Sequence, residues 1–240
     1  MTAARPRSRV TSFALLAASI ALLIGVGVRS MIGLPHDHVT MRGQRELVSL
    51  PDGSRVQVGS NSAIDVEYEV GMRRVRLVRG EAYFDVVHDA ERPFLVETEG
   101  GSVRDIGTAF SVRLDGSDEI VVVVERGSVE VTGRTAPVVL VPNQRVRSGK
   151  HRTGPVEPTN VNDELAWISG RLILEDRSLH EVVDELNRSS AARVILLGSE
   201  IGKRRVGGVV DLDYVDAWLD ALRVSQGVRV MHLPGYVVLF

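Results

Sequence analysis

The sequence predicts a single-span membrane protein whose exported part is an all-β domain, of sandwich, barrel or roll type, followed by a small α+β domain of two βαβ units. Three observations predict it. Val10 to Val28 carries no charge and follows Arg5, Arg7 and Arg9. From Glu46 to about Val146 the apolar period is two, and from Trp167 it becomes 3.6.

The apolar run comes first. A helix of about 19 residues crosses a hydrocarbon core of about 30 Å, and the three arginines ahead of it argue for a cytoplasmic N-terminus. The run exceeds the usual length of a signal-peptide core and lacks a small-residue cleavage site, which favours a retained anchor over a cleaved leader. The expected organisation is a cytoplasmic stub at 1–9, a transmembrane helix at 10–28 and a linker at 29–45. Beyond these lie the all-β domain at 46–150, a second linker at 151–165 and the α+β domain at 166–240. There is no cysteine, so the exported part must be held by its core, without disulfides or thiolate metal sites.

In the all-β stretch, Val75 and Leu77 fall on one side of a strand and Arg74 and Arg76 on the other. Turn signals recur every 8 to 12 residues or so, at Pro51-Asp52-Gly53, Gly80, Arg92-Pro93, Gly100-Gly101, Asp115-Gly116 and Arg126-Gly127. Ile120 to Val124 is apolar at every position, as a central strand covered on both faces requires. The net charge of -2 offers no field for nucleic acid, and the 27 arginines, against 2 lysines, alternate with apolar residues as a solvated surface does.

In the α+β stretch, Leu179, Val182, Val183 and Leu186 mark one helical face, opened by a Ser178/Glu181 capping box. Val215, Trp218, Leu219 and Leu222 repeat that face at an offset of 36, with Asp213 as the expected N-cap. The strands Arg193 to Leu197 and Arg229 to Leu233 keep the same offset, the mark of an internal duplication. The first unit reads Arg171 to Leu174, helix, Val194 to Leu197; the second reads Val206 to Val210, helix, Val228 to His232. Tyr236 to Phe240 adds a last strand, and both helices are expected on one face of a small sheet. The edge near Val206 to Val210 and the terminal strand, with Tyr236, Val238 and Phe240, are the candidate partner-docking residues, because unpaired edges recruit strands. By alternation, Val238 and Phe240 are expected in the core.

Chemistry is sparse. His36-Asp37-His38 lacks a third ligand and predicts no metal centre; His88, His151, His180 and His232 are scattered. No phosphate loop, dinucleotide fingerprint or nucleophile elbow is present. No cofactor and no enzymatic activity on a separate substrate are expected. In Ile106-Gly107-Thr108-Ala109-Phe110, a threonine hydroxyl stands beside the carbonyl of a glycine, the arrangement for attack on its own preceding peptide bond. A glycine turn or bulge ahead of a strand threonine accounts for the pair more simply.

Five segments in order carry a resemblance: Leu50-Pro51-Asp52-Gly53-Ser54, Val78 to Val86, Arg92-Pro93-Phe94-Leu95-Val96, Ile106 to Val112, and Val129-Glu130-Val131. Together they resemble the FecR-type transmembrane regulators. Ala166-Trp167, Gly170-Arg171-Leu172, Ser178-Leu179 with Val182, Leu186-Asn187-Arg188 and Val206-Gly207-Gly208 resemble that family's terminal module, which is similar to the short signalling domain of secretins and TonB-dependent transducers. The resemblance implies a bacterial inner-membrane regulator of an extracytoplasmic-function (ECF) sigma factor. Its periplasmic part would sense the signalling domain of an outer-membrane TonB-dependent transducer of iron or siderophore type, and envelope proteases would pass the signal on. It also implies self-cleavage at Gly107-Thr108, which some members carry out. The other class of reading is a membrane-anchored envelope interaction module without sigma-factor control.

The chain departs from the family at Gly59, where asparagine is usual, at Asp105, where an apolar residue is common, and in its nine residues ahead of the span. Those nine are too few for a stable helix that grips a sigma factor. Asp105 is expected to affect the strand leading into Gly107.

Overall fold

The computed structural model describes residues 36–240, apart from 106, 117–118 and 134–135. The apolar run Val10 to Val28 and the stub before it lie outside the described residues. Among the described residues, no helix is long and apolar enough to cross a membrane.

Among the described residues, fourteen strands make the first part: β1 (His38–Val39), β2 (Glu46–Ser49), β3 (Arg55–Val58), β4 (Ala63–Glu69), β5 (Met72–Arg79), β6 (Glu81–Asp85), β7 (Phe94–Glu97), β8 (Ser102–Asp105), β9 (Ala109–Asp115), β10 (Glu119–Arg126), β11 (Val129–Thr132), β12 (Val138–Leu140), β13 (Gln144–Gly149) and β14 (Glu157–Pro158). They form two seven-stranded sheets, in the orders β1-β4-β5-β7-β8-β11-β12 and β14-β13-β10-β9-β6-β3-β2. Pairing is antiparallel except between β5 and β7. The all-β domain is therefore a sandwich.

Alternation builds its core. Val75 and Leu77 of β5, Val56 and Val58 of β3, and Val122 and Val124 of β10 all turn inward and are buried. Phe84 stacks on Phe110 with ring centroids 5.2 Å apart and meets Phe94 edge-on at 5.9 Å. Each such side chain contributes about 1.5–3 kcal/mol on burial. Arg73 shares the inward parity of Val75, and the structure corrects the reading of the arginines as surface: Arg73 is only 1% exposed. Its Nη1 donates to Asp52 Oδ2 at 2.7 Å and to the Val87 carbonyl, its Nε donates to the Arg92 carbonyl, and its guanidinium lies over Phe94. A buried guanidinium is tolerated because its donors are met.

Ile120 to Val124 is buried on both faces. The outer cover comes from 151–165, the stretch read as a linker: it holds β14 and helix α1 (Val161–Glu164), whose Val161 packs with Leu165 on Val121 and Val123. Asn160 caps α1 through its side chain.

A 3₁₀ turn at Ala166–Ser169 ends at Gly170 in the left-handed region, φ 76°. The second part follows: β15 (Arg171–Ser178), α2 (Leu179–Ser189), β16 (Val194–Leu196), α3 (Ser199–Gly202), β17 (Arg205–Asp211), α4 (Val215–Gln226), β18 (Val230–Leu233) and β19 (Tyr236–Leu239). Ser178 and Glu181 form the complete capping box of α2. Three expectations are corrected here. The two strand–helix–strand units do not share one sheet: β15 and β17 pair antiparallel in a two-stranded sheet, while β16, β19 and β18 make a three-stranded one. Each unit thus steps from one sheet to the other. Asp213 does not cap α4; Tyr214 occupies the cap position without a side-chain bond, and Asp213 takes both carboxylate oxygens to Arg45 at 2.7 and 2.8 Å. The last strand is not an edge, because β19 lies between β16 (parallel) and β18 (antiparallel).

Asp37–Phe240 form one compact unit. Arg42 Nη2 donates to the Asn187 carbonyl at the end of α2 at 2.5 Å, Arg45 pairs with Asp213, and Arg113 of β9 lies 3.6 Å from Glu185 of α2. Sandwich and module are joined by charge as well as by hydrocarbon.

Candidate functional site

Gly107 and Thr108 lie at the entry to β9. Gly107 has φ +149°, and a β-carbon there would sit 2.7 Å from Cα, Cβ and Nδ1 of His88, so only glycine fits. The Gly107 amide donates to Asp105 Oδ1 at 2.9 Å and the Thr108 amide to Oδ2 at 3.2 Å. One carboxylate, 2% exposed, thereby grips both residues of the pair in an Asx-type turn. The Thr108 carbonyl accepts from the Val86 amide at 2.9 Å. Thr108 itself is 2% exposed, and its Oγ1 has no hydrogen-bond partner among the described residues. Gly127 leaves the room: a β-carbon at Gly127 would come within 2.4 Å of the Thr108 methyl.

A buried hydroxyl without a partner is costly, by about 1–3 kcal/mol, and it sits next to a constrained peptide bond. That is the arrangement an N-to-O acyl shift needs: a free nucleophilic oxygen one residue beyond a carbonyl, an imidazole against the glycine, and a carboxylate on the amide that must leave. Sequence reasoning marked Asp105 as a departure ahead of Gly107 without seeing its grip on the two amides, and it missed His88. The Asp-x-Gly-Thr spacing was a signal for the first; nothing local signals the second, which arrives from the loop after β6.

The docking candidates are placed as follows. Val206 and Val210 point into the module's core, 6% and 0% exposed, while Gly207, Gly208 and Val209 face out. β17 pairs only with β15, so among the described residues its other edge is open. Val238 is buried at 8%. Phe240, expected in the core, is 39% exposed beneath Arg229, and Tyr236 is 43% exposed under Arg193. The structure does not bring the two docking stretches together on one edge.

No group of three or more His, Cys, Asp or Glu is arranged to hold a metal among the described residues. His38 instead pairs with Glu46 at 3.0 Å, and Asp37 accepts from the Val66 amide, tying the start of the unit to β4.

The model of the family described as FecR protein matches residues 36–130. Two crystal structures of a proposed anti-sigma factor from Parabacteroides distasonis ATCC 8503 are similar to the chain, with TM-scores of 0.73 and 0.72 and 25% identity. In both cases the match covers 85% of this chain and 97% of the other. No curated protein matches the chain.

Proposed function

On the premise that residues 36–130 are a FecR domain, we propose that this chain regulates an ECF sigma factor from the bacterial inner membrane. The observation that carries the reading is the likeness to the proposed anti-sigma factor, which extends over 85% of the chain and so takes in the α+β module as well as the sandwich. In this reading the run Val10 to Val28 anchors the protein with a cytoplasmic N-terminus, and Asp37–Phe240 is the periplasmic sensor. Its outside partner is the signalling domain of a TonB-dependent transducer of siderophore type, docking by strand addition on the open edge of β17. Envelope proteases then release the signal.

Deleting the gene should change transcription from the promoters of an ECF sigma factor and leave housekeeping promoters level; an unchanged transcript profile overturns the reading. Binding of a purified transducer signalling domain to the full chain tests the outside partner separately.

Self-cleavage belongs to the same proposal. Thr108 Oγ1 attacks the Gly107 carbonyl carbon, its proton passes to the Thr108 nitrogen, and the peptide C–N bond breaks, leaving an ester and a free amine. Water then hydrolyses the ester, separating the two pieces. Asp105 holds the amide that becomes the amine, and His88, which packs against Gly107, is the candidate to carry the proton. The wild-type chain should run as two bands and Thr108→Ala as one. A single band for both removes the cleavage step and leaves the regulatory reading standing.

A further inference from the structure

A cavity of about 320 Å³ opens where the sandwich meets the module. Its walls come from the turn before β2, the turn between β5 and β6, β9, the 3₁₀ turn and the end of α2. Arg42, Arg45, Arg79, Arg113 and Arg188 all line it, with Trp167 and, among the described residues, a single carboxyl, Glu81. The volume is at the low end of small-ligand sites.

Only two of the arginines are closely paired with carboxylates, Arg45 with Asp213 and Arg188 with Glu185. Arg42 and Arg79 form no ion pair among the described residues; their bonds go to backbone carbonyls, of Asn187 and Ala192 for Arg42 and of Asn61 for Arg79. Arg113 reaches Glu185 only at 3.6 Å. Glu81 adds little negative charge, since burial raises its carboxyl to about 8, with Arg113 opposing. Among the described residues, three donors belonging to lining side chains are buried without a partner: Arg42 Nε, Arg45 Nη1 and Trp167 Nε1. Buried polar atoms are rarely left unpaired, and an orphaned donor on a charged group costs more than a neutral one. These three atoms are closed to solvent, so it is the surplus of guanidinium charge on the walls that points to an anionic occupant.

We propose that this cavity binds a small anion presenting phosphate or carboxylate oxygens, which ties the sandwich to the module. Guanidinium groups match such oxygens in pairs, and a partly water-excluded seam strengthens each bond. Because the walls belong to both parts, the bound anion stabilises their junction; its absence leaves Arg42, Arg79 and Arg113 there without a close counter-ion.

The test uses the full chain in nonionic detergent, titrated with inorganic phosphate and, separately, with succinate, against sodium chloride at matched ionic strength. Thermal unfolding is followed by tryptophan fluorescence, with Trp167 in the cavity wall. A saturable rise in Tm with at least one of the two anions is expected, as ligand linkage requires, and a matching saturable isotherm in calorimetry. Arg79 is exposed, so its replacement leaves the fold intact: Arg79→Gln should weaken the anion about tenfold, and Arg79→Glu should abolish the saturable part. Arg205→Gln, with the same change in charge on distant β17, should bind as wild type. A Tm that follows anion concentration without saturation, an undiminished response in Arg79→Glu, or an equal loss in Arg205→Gln each overturns the proposal.

Discussion

The sandwich and the α+β module both bury charge, and they complete it differently. Within the sandwich, Arg73 finds Asp52 and three backbone carbonyls, all from the sandwich. Within the module, the buried Glu185 of α2 takes Arg188 and Ser189 from its own helix and Arg113 from the sandwich. Burial alone would push the Glu185 carboxyl up; the guanidinium groups of Arg188 and Arg113 more than offset it and hold it below the usual carboxylate range. Arg73 is completed within the sandwich, whereas Glu185, like the sandwich's Arg45 and Arg113, is completed across the seam. The seam is therefore held by charges that neither part completes alone.

The largest effect expected from breaking this contrast lies in the sandwich. Arg73→Met leaves Asp52 buried without its cation, and removal of one member of a buried pair costs about 3–5 kcal/mol. Urea unfolding should show the loss, with hydrogen exchange rising first in β5 and β7. A loss under about 1 kcal/mol would mean the pair is no more than a surface one.

The seam gives the next effect, and it depends on pH. The Glu81 carboxyl is raised from 4.5 to about 8, chiefly by burial, so between these values the folded state holds a proton that the unfolded state has lost. Stability from this group is then full below pH 4.5 and falls as pH rises through 8. Glu81→Gln should leave stability unchanged near pH 4.5 and raise it most above pH 8, as read from Tm across pH. A benefit that is greatest at acid pH would reverse the sign and exclude the assignment.

The duplicated helices sharpen the contrast at smaller scale. Ser178→Ala should cost about 1 kcal/mol, since it opens the capping box of α2. Asp213→Ala should leave the helicity of α4 unchanged and cost about 0–1 kcal/mol, because Asp213 holds Arg45 in a half-exposed pair and caps nothing. Circular dichroism with urea titration separates the two. An equal helix loss in both variants would restore Asp213 as a cap.

Near neighbours were legible. The Ser178/Glu181 box, the faces of α2 and α4, and the inward parity of Val75 and Leu77 all follow from periods of 3.6 and two, because the backbone alone fixes which residues share a face. The constraint at Gly107-Thr108 was half legible: the glycine announced special backbone, while the orphaned Thr108 hydroxyl depends on Gly127 and His88 making and filling space from elsewhere. Asp105 was visible as a departure, and only its distances to two amides revealed a grip on the turn.

By itself the sequence determined the change from strands to helix-and-strand units near Trp167, the repeat at offset 36, and the glycine constraint beside Thr108. The tertiary structure alone decided that Arg73 belongs to the core, that β19 runs between two neighbours instead of along an edge, that 157–165 roofs β10, and that five arginines share one cavity. The physical reason is the same in each case. A residue's period states which way it faces, whereas what it meets is settled by strand order and packing between segments far apart in the chain.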